Sequence, residues 1–244
     1  IDYAMRLQDS ILPDPPLLTR HFQDHFIFFR PKQRVSGDFY WWAILGDQLV
    51  ITATDCTGHG VPGAIMSMMG VSLLREIVIK EGVTDPGEIL NHLREEVIRS
   101  LYQQGASHEQ KDGMDLSLIT IDTSTLRCRY AGANSPLYHI RDGELTIFRP
   151  QMMPVSHYQQ MDPFTTQQVP LRKGDQLYLF SDGYADQFGG EKRKKFKYGA
   201  FRKLLLENST LPMSEQLEVL QKTITEWQGA NEQIDDMVVI GIRI

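Results

Sequence analysis

The stretch from Leu49 to Gly63, LVITATDCTGHGVPG, limits the fold more than any other part of the chain. Leu49 to Ala53 has the apolar character of a buried strand, and Asp55 stands at its end. Gly58, Gly60 and Gly63 surround His59 in a tight turn. Pro62 is expected to open a helix at its first position, where a missing N–H costs nothing. A carboxylate at a strand end, a glycine turn and a helix N-terminus make a place where a cation and a phosphate can meet. The rest of the chain is then expected to supply partners for Asp55.

With 244 residues, 41% of them apolar, the chain can fill a real core as one large domain or two small ones. Its net charge of -6 argues against a general nucleic-acid surface and leaves carboxylates to spare for cations. Cys56 and Cys128 are the only cysteines. They are too few for a disulfide framework or a structural zinc site, and they suit a reducing cytosol. No apolar run is expected to reach membrane-spanning length, and no signal-peptide pattern opens the chain. A sequence opening on Ile1 is expected to continue upstream, where a membrane anchor could lie.

IDYAMRLQDSILP reads as the last turns of a helix stopped by Pro13, with Ile1, Ala4, Leu7 and Ile11 as a coiled-coil-like stripe. A helix lying on its own domain would show the same spacing. His21 and His25 lack the glutamate of HExxH, so no zinc pair is expected there. FIFFRPKQRVSGDFYWWAIL reads as two strands broken at Pro31, with Asp38 just before the aromatic run Phe39 to Trp42. Gly-Asp is also an ordinary turn. Val61 to Lys80 is apolar nearly all round, so this helix is buried or covered by a partner. Met66, Met68 and Met69 suit core packing there or a surface that repacks. Asp85, Pro86 and Glu88 form a D-x-x-E capping box for a second helix.

Gln103 to Lys111 is polar and reads as a mobile loop. From Asp115 onward, LSLITID, LRCRYAG, PLYHIRD and ELTIFRP look like antiparallel hairpins, with Asp142-Gly143 as a tight turn. Leu177 to Phe180 is a strand that runs into Ser181-Asp182-Gly183, and EKRKKFKY reads as a solvated basic flap. Helices around Phe201–Glu207 and Ser214–Trp227 precede Asp235-Asp236 and a final buried strand, MVVIGIRI.

Asp38, Asp55, Asp182 and the pair Asp235/Asp236 each border a strongly apolar strand. Gathered without partners, such carboxylates would repel one another and raise their pKa values. Divalent cations remove that repulsion. Hard Mg2+ or Mn2+ prefers oxygen ligands and keeps several waters, so few protein carboxylates are required. Two such ions sharing a carboxylate could lie roughly 3.5–4 Å apart and activate a bridging water, an arrangement that hydrolyses phosphate esters.

Other chemistries fit worse. Pro62 stands where a C-x5-R phosphatase needs its arginine, so Cys56 is not expected to be a nucleophile. There is no G-x-S-x-G elbow and no G-x-x-x-x-G-K-[ST] loop. GHGVPG matches G-x-G-x-x-G, but a second helix and then hairpins follow where a dinucleotide site expects a parallel strand.

The ordered set SGDFYWW, ATDCTGHGVPGAIMS, DGMDLSLITID, YAGANSPLY, LFSDGYAD and IDDMVVIGIRI resembles the SpoIIE-type (RsbU-like) branch of the PPM family of metal-dependent serine/threonine phosphatases. The likeness runs over nearly the whole chain from about Ile11. It implies an α+β fold: a four-layer sandwich of two antiparallel sheets packed face to face and flanked by helices, with the metals in a cleft at one edge. It implies two Mn2+ or Mg2+ ions held by Asp38, Asp55 as the bridge, the Cys56 backbone carbonyl, Asp182 and Asp235, the first aspartate of IDDM. Asp236 then stands behind them. Asp112 and Asp115 are candidates for a weak third metal or for outer support. Arg34 is a candidate for the phosphate-holding arginine found upstream of the first metal aspartate in wider PPM enzymes, in an unsettled register.

The same resemblance implies a substrate: phosphoserine or phosphothreonine on a STAS-type, anti-anti-sigma-like protein. An upstream sensor domain in the same chain would act through the N-terminal helix, paired as a homodimer, and through the helix carrying Met66, Met68 and Met69. Residues 1–12 would be the end of that linker and residues 13–244 a cytoplasmic phosphatase domain without nucleic-acid partners. The competing reading is a catalytically weak partner-binding module of the same fold. The full set of acidic motifs favours the enzyme.

Overall fold

Alternation along the strands sorts their side chains into three apolar layers, and those layers set the architecture. The computed structural model describes residues 2–13, 22, 24–101 and 112–244. Ile1 of the N-terminal stripe, His21 of the histidine pair and the loop expected over 103–111 lie outside the described residues.

One sheet has the order β1 (His25–Arg30), β12 (Met237–Arg243), β9 (Gln176–Phe180), β6 (Leu137–Arg141), β7 (Glu144–Phe148). The other runs β2 (Phe39–Leu45), β3 (Gln48–Cys56), β4 (Met114–Asp122), β5 (Cys128–Ala133), β8 (Gln167–Val169). Every strand pairing in both is antiparallel. Leu49, Ile51 and Ala53 of β3, Leu177 and Leu179 of β9, and Val238 and Ile240 of β12 meet between the sheets. The intervening residues face outward. Val50, Leu116 and Leu118 pack on α2 (Gly60–Leu74) and α3 (Pro86–Ser100). Tyr178, Phe180, Met237 and Val239 pack on α5 (Lys197–Glu207) and α6 (Met213–Gln228). The result is the expected four layers, helix–sheet–sheet–helix. A period of two on doubly buried strands leaves few other ways to hide both faces.

The local devices are the ones the residues dictate. Asp85 caps α3 by accepting from the Glu88 N–H at 3.2 Å. Asp142 and Gly143 both take positive φ, 51° and 80°, and close the β6–β7 hairpin. Helix α2 begins at Gly60 with His59 as its cap, so Pro62 sits third in the first turn rather than first. Its absent N–H still has no intrahelical partner to lose. The same helix continues as a π-helical segment, Arg75–Lys80. The uninterrupted apolar run ends before Arg75, but an 18-residue window within the 21 residues Gly60–Lys80 has mean hydropathy 1.4, long and apolar enough by composition to cross a membrane. Just over half of that window, 56%, is buried inside the protein, and a core helix passes the same test.

A buried polar clamp holds β6 and β9 together. Asp175 accepts from Arg141 Nε at 2.8 Å and from the Arg172 backbone N–H at 2.9 Å, and His139 Nε2 lies 3.0 Å away. Burial pushes the Asp175 carboxyl up, but these donors together outweigh it and hold the group below the usual carboxylate range. Asp175→Asn is therefore expected to cost roughly 1.5–3 kcal/mol at neutral pH, the range for hydrogen bonds to a charged group. A lowered carboxylate pKa gives stability that is complete above about pH 4 and is lost as pH falls through the folded-state value. Urea denaturation should show the wild type and variant converging in acid. A stability gap that does not change with pH would count against an ionised Asp175.

Candidate metal centre

Two backbone approaches build the cleft. Gly37 lies so close to the turn after β3 that a Cβ there would collide with the Gly58 carbonyl oxygen and crowd the Cys56 carbonyl. Gly183, at the start of α4 (Gly183–Asp186), lies against the Asp236 carbonyl in the same way. Only glycine permits such contacts. They draw the loops carrying Asp38, Asp55, Asp182 and Asp235 to one end of the sandwich.

The two aspartates before β12 divide the work. Asp236 is buried and accepts from Lys32 N–H at 2.6 Å and from Gly37 N–H at 2.7 Å, tying the β1–β2 loop to β12. Asp235 instead lines the cleft. The cleft holds about 450 Å3 and is also lined by Asp55, Cys56, His59, Asp115 and Asp182. Asp38 lies beneath it, 2% exposed, and its Oδ2 has no hydrogen-bond partner.

The electrostatics are those of crowded acids. Burial pushes the Asp38 carboxyl well above its ordinary value; a Ser181 hydrogen bond opposes this, and the charges of Asp236, Asp235 and Asp182 add to it. Burial likewise raises Asp55 strongly, reinforced by Asp38, Asp182, Asp235 and Asp115. Asp182 is pushed up to about 6 by burial and by Asp235 and Asp186, while a hydrogen bond with Asp55 opposes the rise. Burial also raises Asp235, and Lys32 and His59 partly offset this. An orphaned buried oxygen amid mutually repelling carboxylates is the environment that a hard divalent cation satisfies. Among the described residues no three His, Cys, Asp or Glu side chains stand as a finished cage. Mg2+ and Mn2+ retain waters and accept carbonyl donors, so the donor set fits them in kind.

Asp115 faces Asp55 across the β3–β4 ladder and accepts from Asn134 Nδ2 at 2.9 Å. Asp112 is partly buried and does not line the cleft. Arg34 is exposed, ion-paired with Asp2 of α1 (Asp2–Ile11), and does not line the cleft either. Met66 is buried in the helix-side core, Met69 packs against it and Met68 is half-buried.

Asn134, Ser156, Tyr158 and Tyr198 also line the cleft and its inner recess, and the sequence did not single them out. Asn134 had a signal, since it follows Gly-Ala and adopts φ 55°, a conformation asparagine tolerates. Tyr198 had none: it arrives from α5 through tertiary packing on Phe180, with ring centroids 6.2 Å apart.

Against known proteins, the family model for SpoIIE, stage II sporulation protein E, matches residues 46–244. No curated protein matches the chain. Among solved structures it is similar to the SiaA-PP2C domain of Pseudomonas aeruginosa, at 32% identity and a TM-score of 0.89, over 100% of this chain and 95% of that one. The RsbU and RsbW domains of a Mycobacterium tuberculosis protein give 18% identity and a TM-score of 0.66, over 90% of this chain and 60% of that one. RsbX in complex with magnesium gives 13% and 0.62, over 90% and 94%. The last two likenesses speak for the fold.

If repulsion at Asp38 is what an ion relieves, Asp38→Asn should stabilise the metal-free protein. A relief of about 1 kcal/mol raises Tm by about 2–4 °C at this size. Thermal unfolding in chelator reads the gain. Adding Mn2+ should then raise the wild-type Tm more than the variant's. A variant less stable in chelator would mean that Asp38 is held by something other than an ion.

Proposed function

Because the chain belongs to the SpoIIE family and carries a PP2C-type phosphatase domain of the PPM class, we propose that it hydrolyses phosphoserine or phosphothreonine on a STAS-type regulatory protein with the help of two Mn2+ or Mg2+ ions. The observation that carries this reading is the gathering of Asp38, Asp55, Asp182 and Asp235 at one cleft with an orphaned carboxylate oxygen beneath it. The magnesium named with RsbX supports the choice of ion class, and the pairing of RsbU with RsbW domains supports a partner-switching setting.

Asp55, whose carboxyl feels the charges of Asp38, Asp182, Asp235 and Asp115, would be a ligand of the ions in this reading. Asp38, Asp182, Asp235 and the Cys56 carbonyl complete the set, with Asp115 and Asp236 as supports. When bound, the ions offset the carboxylate charge, polarise the phosphoryl group and lower the pKa of water. The chain itself supplies position: Asp236 fixes the Asp38 loop, and Asn134 orients Asp115. Cys56 is no nucleophile, because burial and the neighbouring aspartates push its thiol well above its ordinary pKa.

Regulation by an upstream sensor in the same chain belongs to the same proposal, with residues 1–12 as the end of the linker and 13–244 as a cytoplasmic catalytic domain. Its support is Gln8. This α1 residue is buried, donates to the Ser36 carbonyl at 2.6 Å and to Ser67 Oγ at 2.7 Å, and accepts from Ser36 N–H at 3.0 Å. Ser36 lies two residues before Asp38, and Ser67 lies in α2. A homodimer formed through α1 would pull on both.

Three outcomes test the proposal. Asp55→Asn and Asp182→Asn should each lower kcat on p-nitrophenyl phosphate by at least about 100-fold at saturating Mn2+, since an amide cannot replace a charged ligand. Cys56→Ser should retain much of the activity. Gln8→Ala should change kcat while leaving metal binding near wild type. Wild-type turnover in either aspartate variant would sink the two-ion reading. A wild-type protein that binds Mn2+ and a phospho-STAS partner yet hydrolyses neither substrate would make the domain an interaction module.

A further inference from the structure

The run EKRKKFKY supplies the turn and second strand of a short hairpin that lies in the chain between Asp182 and Tyr198, two residues that line the cleft. Its strands, β10 (Phe188–Gly189) and β11 (Lys194–Lys195), pair Phe188 with Lys195 and Gly189 with Lys194. The base is held firmly on α6. Gly190 N–H donates to the Trp227 carbonyl at 2.8 Å, and the Trp227 indole N–H donates to the Gln187 carbonyl at 3.0 Å. Phe196 packs edge-on against the same indole, with ring centroids 5.5 Å apart. A basic tip on such a base is presented in a fixed place.

Its cations are not spent internally. Lys195 pairs with Asp186 at 2.7 Å, but Lys192, Arg193, Lys194 and Lys197 are exposed and form no ion pair among the described residues. The segments that flank the hairpin reach the cleft. Asp182 precedes it, Tyr198 follows it, and both line the recess that Asp55 also lines. Lys194 is four residues from Tyr198, which caps their separation at about 14 Å of chain.

We propose that this hairpin docks acidic residues flanking the phosphorylated side chain of a protein substrate. The proposal rests on the phosphatase reading of the cleft. The chain carries a net charge of -6 and its cleft is built of carboxylates, so an acidic protein is repelled by most of this surface. Exposed, unpaired cations on a segment that leads into the cleft oppose that sign locally and set the direction of approach. A nucleic acid or an anionic bilayer fits less well. Either extends far beyond one hairpin and would face Glu191, Asp186 and the acidic cleft around it.

The test uses the 244-residue chain with Mn2+ and two phosphothreonine peptides of equal length, one flanked by Asp and Glu, the other by Ser and Gly. The wild type should prefer the acidic peptide in kcat/KM, through KM, and the preference should shrink with added salt. The variant Lys192→Gln/Arg193→Gln/Lys194→Gln should lose about five- to tenfold of that preference, as three rim charges of ordinary strength predict. Circular dichroism checks its fold, and Lys192→Gln alone should give a smaller loss of the same sign. A preference untouched by these substitutions overturns the docking role. So does a hairpin-dependent affinity for an oligonucleotide or for phosphatidylserine vesicles that exceeds its affinity for the acidic peptide. Fluorescence anisotropy with the same peptides reads docking without turnover. Binding lost in the variant, in a protein that hydrolyses nothing, would uphold the hairpin and overturn the phosphatase reading alone.

Discussion

The cleft depends on the Asp236 carboxylate. One oxygen accepts from Gly37 and the other from Lys32, while the same residue's carbonyl lies against Gly183. One residue therefore joins three segments that are distant in sequence, the start of β12, the end of β9 and the β1–β2 loop that crosses to the other sheet. Hydrogen bonds to a buried carboxylate are charge-assisted and stronger than neutral ones. They are made here to backbone N–H groups, which have no rotamer freedom to lose. Removing that clasp would free the Asp38 loop without touching Asp38.

Rigid placement brings with it an electrostatic conflict. Asp38, Asp55, Asp182 and Asp235 are pushed up together because none has a cation of the chain beside it strong enough to offset burial. Ordinary core construction avoids this, since a buried unpaired carboxylate opposes folding. The sandwich supports the conflict because its three apolar layers are extensive and meet the cleft end at only a few residues, such as Cys56, Met114 and Phe180. Stability built in the layers is spent at one edge, where local rules of packing are broken for the sake of chemistry.

Most of the fold was legible because its signals are local. Strand alternation, the Asp85 cap and the Asp142-Gly143 turn each follow from a few neighbouring residues, and each appears where expected. The acidic strand ends were legible for the same reason, as Asp at the border of an apolar run, with Gly beside it at Asp38 and Asp182. What escaped the sequence depends on tertiary approach. Gln8 looks like a surface residue of an amphipathic helix, yet it is buried because Ser36 and Ser67 satisfy its amide. Arg34 stands near Asp38 in sequence but is turned away to Asp2. Tyr198 reaches the cleft only because α5 packs on Phe180. Proximity along the chain predicts neither of the last two.

The two devices beside the cleft enter it from different elements, and this separates recognition from control. Gln8 reaches the Asp38 loop and α2 from the helix side of the β2–β3 sheet. The basic hairpin is fixed to α6, on the outer face of the other sheet, and meets the cleft through Asp182 and Tyr198. A change at α1 can therefore alter the spacing of Asp38 and Asp55 while the docking hairpin stays in place on Trp227. Among the described residues no ion pair or hydrogen bond joins the hairpin tip to α1 or α2. In the proposed reading such a domain would change rate without changing partner, because coupling requires a two-state element that both sites bias, and the hydrogen bonds at the hairpin's base run between Gly190, Trp227 and Gln187 rather than to α1.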